Sequence, residues 1–419
     1  MNAPDATRSP SWKWWVCGLL LLASSINYMD RQTLANAAVR IGEHFHLNDE
    51  QYGKLEFVFG WAFAAGSLLF GFVVDRFSVH WLYPVVLALW SAVGFSTGHV
   101  DSYGGLLTCR TLLGLFEGGH WPCAVKATQR LLEPRERAMG NSVLQSGTSI
   151  GAMLTPVAMR FLLTSEQESW RVPFQVVGAL GAVWVVAWFL LLRGSGVFRA
   201  EPSSTASRVA GRSPFADLLT LFRDRRMWIL FVVVACINTG WQTLRAWLPK
   251  FLQQGRHYSE TQTLDFTAVF YLATDVGCLG AGAFTFWLVR RGLSVEDSRM
   301  GVFLGCALVA ALAVVAALSP PGWVLLAALL AAGAGALGVF PIYHAFTQDV
   351  SAQHQGKVTG ITGVAAWVFS SPAQILFGRM VDRTGSFDLG LAVAGLLPLT
   401  AFLVLWLFWP GTRAKDSPR

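Results

Sequence analysis

Asp30 and Arg31 stand side by side in Ile26-Asn27-Tyr28-Met29-Asp30-Arg31-Gln32-Thr33-Leu34, within a stretch otherwise poor in charge. Arg110 and Glu117 lie seven residues apart in a second such stretch. Seven residues make two helical turns, so on a helix both side chains leave one face, about 10 Å apart along the axis. An ionisable group at bilayer depth costs about 3 kcal/mol on insertion scales, so each needs a partner or a task. An arginine fork can hold a carboxylate through two charge-assisted hydrogen bonds, and it keeps its charge at any working pH. Such a site cannot release a proton. A buried carboxylate can, because burial favours its neutral form and a nearby guanidinium its charged form. Arg31 and Arg110 are therefore the candidate anion holders, and Asp30 and Glu117 the candidate proton carriers. Mutual neutralisation of two acids and two bases is the purely structural alternative.

The elements that must position these residues follow from composition. Of 419 residues, 53% are apolar and 14% charged, with 18 Trp, 29 Phe and 41 Gly. Soluble domains carry about 25% charge. The deficit excludes a cytosolic enzyme, a disordered scaffold and a disulfide-rich secreted domain. Cys17, Cys109, Cys123, Cys236, Cys278 and Cys306 lack metal-ligand or redox spacing. A membrane span takes about 20 apolar residues. Apolar runs bounded by charge, Pro or Gly place helices over 12–38, 52–74, 81–100, 103–130, 137–163 and 172–193. A second set covers 227–252, 261–290, 300–318, 322–347, 356–382 and 387–410. The expected fold is an all-α membrane protein of twelve transmembrane helices in two pseudo-symmetric six-helix bundles, residues 1–193 and 227–419. Polar segment 194–226 forms the linker. Tandem halves of this kind mark a rocker-switch transporter with its site at their interface.

The net charge of +7 is a topology signal. With the N-terminus inside, twenty Lys and Arg fall on the cytoplasmic side and six on the other. Both termini are then cytoplasmic, the first apolar segment is a retained span, and the compartment is the inner membrane. No nucleic acid is implied as a partner, and nothing demands more than a monomer.

Weaker candidates lie elsewhere. Arg245 on the seventh span would face a cavity opposite Arg31, either pairing with Asp275 or holding a second acidic group of a substrate. Gln242 and Trp241 beside it, and Trp367, Ser370, Ser371 and Gln374 on the eleventh span, are candidates for sugar hydroxyls. Thr148 and Ser149 on the fifth span are small polar candidates that close helix packing explains nearly as well. His120 reads as a hydrogen-bonded packing histidine before a proton relay, and Lys126 as a snorkelling side chain. No P-loop, nucleophile elbow or metal-ligand set occurs, so neither an enzyme nor a cofactor is expected.

Taken in order, these residues resemble the anion:cation symporter family of the major facilitator superfamily, and within it the bacterial hexuronate and aldonate transporters. Asn27-Tyr28-x-Asp30-Arg31 resembles that family's first-span signature, and Arg110-x-x-x-Gly114-x-x-Glu117-Gly118-x-x-x-Pro122 its fourth. Glu136-Arg137 with Gln145-Ser146-Gly147-Thr148-Ser149-Ile150-Gly151-Ala152 and Pro156 resembles the fifth. Trp247-Leu248-Pro249-Lys250-Phe251, Asp275-x-Gly277 and Arg290-Arg291-Gly292 resemble the seventh and eighth. Gly71-x-x-x-Asp75-Arg76 resembles the superfamily's gating motif in the loop between spans two and three, though Phe77-Ser78-Val79-His80 follows where more basic residues are usual. The resemblance implies that Arg31 binds a substrate carboxylate, with Tyr28 near the substrate. It implies that Asp30 and Glu117 are proton-linked and that Arg110 interacts with these acids. Arg245 departs from the pattern, which commonly has an apolar or aromatic residue there. The reading is a proton-coupled symporter importing a small organic anion, a hexuronate or related sugar acid. An exchanger for organic anions or sugar phosphates, and a dicarboxylate symporter, stand as alternatives.

Overall fold

A computed structural model describes residues 11–133, 136–193, 222–350 and 355–410, apart from the side chains of residues 75, 138, 355–357 and 359. The first half runs α1 (Trp12–Asn36), α2 (Ala38–Phe45), α3 (Asp49–Arg76), α4 (Val79–Thr97), α5 (Tyr103–Glu117), α6 (His120–Leu131), α7 (Arg137–Leu162) and α8 (Arg171–Leu191). The second runs α9 (Arg225–Lys250), α10 (Glu260–Arg290), α11 (Val295–Ala310), α12 (Ala313–Leu318), α13 (Trp323–Gln348), α14 (Gln355–Thr384) and α15 (Asp388–Phe408). These helices make the twelve expected spans. Most of the expected linker, 194–221, lies outside the described residues.

Local chemistry sets where helices start and break. Ser102, Ser259 and Ser294 cap α5, α10 and α11 by accepting from backbone N–H groups, and Ser259 with Gln262 forms a full capping box. The expected helix 103–130 is two helices: α5 ends at Gly118-Gly119, and Pro122 removes the N–H that would have bonded the Gly118 carbonyl. The ninth span likewise breaks between α11 and α12, and the first continues past Ala37 as α2. Gly71, Asp75 and Arg76 occupy the last turns of α3, so the motif expected in a loop is helical and only Phe77-Ser78 connects to α4.

Two compact units emerge, one built on spans one to six, the other on spans seven to twelve together with Asn48–Gly53. In the first, α1 lies along α7 and α4 along α8. In the second, α9 lies along α14 and α15, and α10 along α13. Residues 48–53 anchor within the second unit through an Asp49–Lys250 ion pair and a Tyr52 hydroxyl donating to the Ala246 carbonyl at 2.8 Å. There too the Asp382 carboxylate accepts from the Asp49 and Glu50 backbone N–H groups, both at 2.8 Å. Large apolar side chains such as Phe72, Phe161, Leu279 and Trp406 point outward, as a lipid-facing surface requires.

Glycines let the helix backbones touch. A Cβ on Gly151 would stand 2.3 Å from the Ser25 carbonyl oxygen of α1, and one on Gly114 2.3 Å from the Phe59 carbonyl of α3. Backbone cannot yield as a flexible side chain does. Gly151→Ala is therefore expected to cost about 2 kcal/mol or more, seen as a lowered unfolding temperature in detergent. Gly18→Ala on α1, where a Cβ meets nothing within 4 Å, is the matched control and should be neutral or slightly stabilising.

Candidate functional site

Nine helical stretches among the described residues are long and apolar enough to cross a membrane. The three spans outside that set are α1, the α5–α6 pair and α7. They carry Tyr28, Asp30, Arg31, Arg110, Glu117, Thr148 and Ser149, and the α5–α6 pair is two short helices of 15 and 12 residues.

In the first unit these residues meet in a buried cluster. Asp30, Arg31, Glu56, Arg110 and Glu117 are each at most 4% exposed. Arg31 Nε donates to Glu117 Oε2 at 2.8 Å, and Arg31 Nη2 donates to Asn27 Oδ1 at 2.9 Å, one turn earlier on α1. The guanidinium lies over the rings of Tyr28, Phe59 and Phe63, at 5.1, 5.3 and 4.5 Å from their centroids. Arg110 also lies over Phe59, at 4.4 Å. Aromatic faces of this kind stabilise a desolvated cation by about 1–2 kcal/mol each.

Arg110 has a partner that sequence reasoning passed over. Its Nη2 donates to Glu56 Oε1 of α3 at 3.3 Å. The cluster thus holds three acids and two bases, where two of each were expected. Asp30 is close enough to Glu117, Arg110 and Arg31 to interact with all three electrostatically. Neither of its carboxylate oxygens takes a hydrogen bond from the described residues. The space it fills is left by Gly94 of α4, where a Cβ would lie 2.8 Å from Asp30 Oδ1.

Nearby polar groups have their own partners in this unit. His120 is fully buried at the start of α6, with Nε2 bonded to the Ser24 hydroxyl and Nδ1 to the Tyr83 hydroxyl, both at 3.0 Å. Lys126 donates to the Val74 carbonyl near the end of α3. The Thr148 hydroxyl donates back to the Gln145 carbonyl of its own helix at 2.8 Å, and Ser149 is half-buried beside it. Gly147 and Gly151 on the same face make the α1–α7 contact.

The second unit holds its own polar set. Arg245 is buried, and its Nε donates to Gln242 Oε1 at 2.6 Å on the same helix. Asp275 is half-buried on α10. Asn238, another residue not anticipated, donates to Ser370 Oγ at 2.9 Å and to the Ala366 carbonyl at 3.0 Å, joining α9 to α14. Trp247 Nε1 donates to Gln374 Oε1 at 2.8 Å. The Ser371 hydroxyl donates to the Trp367 carbonyl at 2.6 Å. Trp241 stacks on Phe270, with centroids 6.5 Å apart, and meets Tyr271 edge-on. Within this unit Ser370 and Gln374 are thus tied to packing partners, while Gln242 orients an arginine. Of the gating residues, Gly71 has open space around it and Arg76 is exposed; the Asp75 side chain lies outside the described residues.

Twelve spans in two matched six-helix units, one enclosing a charged cluster, define a multi-pass membrane transport protein. The relatives say which kind. The chain belongs to the Major Facilitator Superfamily, whose sequence profile matches residues 20–372. It is a transporter and not an enzyme. It is similar to the hexuronate transporter of Escherichia coli (strain K12), 24% identical over 410 residues that cover 94% of this chain and 93% of that one. It is also 28% identical to a probable L-galactonate transporter of the same organism, over 90% of this chain and 85% of that one. Among solved structures it resembles a bacterial homolog of the human lysosomal transporter Spinster, with a TM-score of 0.79 and 17% identity. That match covers 98% of this chain and all of the other.

Proposed function

We propose that this protein imports a small organic anion, a hexuronate or related sugar acid, together with protons, exposing one site alternately to the two sides of the membrane. The observation that carries the reading is the buried pair of neighbours Asp30 and Arg31, with Arg31 bonded to Glu117 at 2.8 Å and Asp30 accepting no hydrogen bond from the described residues. A guanidinium held by a displaceable carboxylate can exchange that carboxylate for one on the substrate. The displaced Glu117 and the neighbouring Asp30 then carry protons. Relatives named for hexuronate and L-galactonate support the substrate class. The twenty-to-six distribution of basic residues supports an inner-membrane location with both termini cytoplasmic. Tyr28, on which Arg31 rests, is assigned to the substrate's path, with Thr148 and Ser149 as further candidates in this unit. Gln242, Trp367, Ser370, Ser371 and Gln374 remain candidates for hydroxyl contacts, and Gly71, Asp75 and Arg76 for gating.

The test is uptake of labelled D-glucuronate and D-galacturonate into proteoliposomes. Uptake should be driven by an inward proton gradient and collapsed by a protonophore. Exchange that proceeds without a gradient and is inhibited by phosphate would replace this reading with the anion exchanger.

Arg245 favours a second reading of the substrate, because a buried arginine held by Gln242 suits a second acidic group. On that reading Arg245→Ala abolishes transport of a dicarboxylate sugar acid and spares exchange of a monoacid. Equal loss for both, measured in the same vesicles, assigns Arg245 to structure.

A further inference from the structure

An indole N–H donates a hydrogen bond and cannot accept one. Trp247 Nε1 lies 2.8 Å from Gln374 Oε1, so the Gln374 amide is held with its oxygen toward the indole. Its nitrogen is buried and makes no hydrogen bond with the described residues, and the whole side chain is 3% exposed. A buried donor left without an acceptor is costly, and native interiors keep few of them. An acceptor that arrives with a ligand removes the cost.

The arrangement recurs. Arg245 Nε, also a donor only, takes the Gln242 oxygen at 2.6 Å and leaves that amide its hydrogens to offer. In the first unit Arg31 Nη2 takes Asn27 Oδ1 at 2.9 Å, and Asn27 Nδ2 is buried with no partner among the described residues. Each of these amides has its oxygen occupied by a donor that cannot turn acceptor. The indole is itself held in place. It meets Tyr52 edge-on with centroids 4.9 Å apart and packs on Phe377 at 4.5 Å. The Tyr52 hydroxyl is tied to the Ala246 carbonyl, and a Cβ on Gly53 would come within 2.3 Å of the Gln374 carbonyl oxygen. One turn of α3 thus braces both the indole and the glutamine backbone.

From this we infer that Trp247 is a positioning residue for substrate specificity. By occupying the Gln374 oxygen it makes the second unit present amide hydrogens, and so select a carboxylate over a hydroxyl. A carboxylate oxygen only accepts, whereas a hydroxyl that accepts from Gln374 must still place its own hydrogen. The group selected is a second carboxylate, distinct from the one assigned to Arg31. The inference rests on the dicarboxylate reading above and deepens it, since it says which end of each amide meets the substrate and what fixes it there.

The experiment compares D-glucarate with D-gluconate, which differ only in a carboxylate or a hydroxymethyl group at C6. Each is titrated against the detergent-purified full chain, and its Kd is taken from the rise in unfolding temperature. The wild type should bind D-glucarate about ten- to a hundredfold more tightly, the range set by leaving a buried donor or acceptor unmatched. Trp247→Phe keeps a packed ring and removes the N–H, so Gln374 can turn either end to the ligand. The preference should then fall about tenfold, the worth of one hydrogen-bond match. Gln374→Glu keeps an oxygen for the indole and turns another to the ligand, and should weaken D-glucarate about a hundredfold while sparing D-gluconate.

A wild-type preference that survives in Trp247→Phe overturns the inference and leaves the dicarboxylate reading standing. Equal weakening of both ligands in Trp247→Phe also overturns it and marks a structural residue. No preference in the wild type removes the inference and the dicarboxylate reading together, and a response to D-glucuronate then keeps the sugar-acid proposal.

Discussion

Arg31→Ala should abolish sugar-acid transport, lowering uptake in proteoliposomes by about a hundredfold or more, and Arg31→Lys should not restore it. The reasoning has two parts. Arg31 is the buried base whose Nε is bonded to Glu117 at 2.8 Å while aromatic rings line its faces, a geometry that a flexible ammonium does not reproduce. A lost charge-assisted fork to a carboxylate is worth about 2–3 kcal/mol by itself, and the unmatched buried acid adds about 3–5 kcal/mol of destabilisation. The second part threatens to masquerade as the first. Arg31→Ala/Glu117→Gln removes both charges of the pair and should recover much of the lost thermal stability. It should remain without transport. A double variant that transports would strip Arg31 of its role in holding the anion.

Glu117→Gln is expected to separate coupling from binding. The amide is nearly isosteric with the acid, so Arg31 keeps an acceptor at the Oε2 position, but the proton can no longer be exchanged. Counterflow of labelled for unlabelled sugar acid needs no net proton movement and should persist. Accumulation driven by a one-unit pH gradient should fall about tenfold, the contribution of one coupled proton. Undiminished gradient-driven uptake in this variant would exclude Glu117 from coupling.

Much of this architecture is written in the sequence because lipid enforces a simple grammar. Charges inside long apolar runs are conspicuous, which is why Asp30, Arg31, Arg110 and Glu117 stand out before any coordinates are seen. Glu56 does not stand out. It follows Lys54 by two residues near the start of a run, where charge is ordinary at a membrane boundary. Only α3 beginning at Asp49 places it two turns inside the helix. Asn238 is concealed for another reason: a lone neutral amide barely perturbs an apolar run, and its work of tying α9 to α14 depends on tertiary neighbours. The break after Glu117 was visible as Gly118-Gly119 and Pro122, but the same residues equally fit close packing. Gly118 does both, since a Cβ there would strike the α3 backbone at 2.5 Å. Length alone could not tell a gating loop from the end of a helix, so the continuation of α3 through Arg76 emerged only from the fold.

The charge buried on α1 has a consequence for how the protein is made. A segment carrying Asp30 and Arg31 gains little by leaving the translocon for lipid alone, since each such charge opposes partitioning by about 3 kcal/mol. It becomes stable in the bilayer when Glu117 arrives on a helix synthesised some eighty residues later. The first unit is therefore expected to assemble as its spans emerge, with α1 settling once Glu117 and α7 reach it. Neutralising the cluster would ease membrane insertion while removing the charges proposed to carry transport. Yield and activity in such variants are accordingly expected to move in opposite directions.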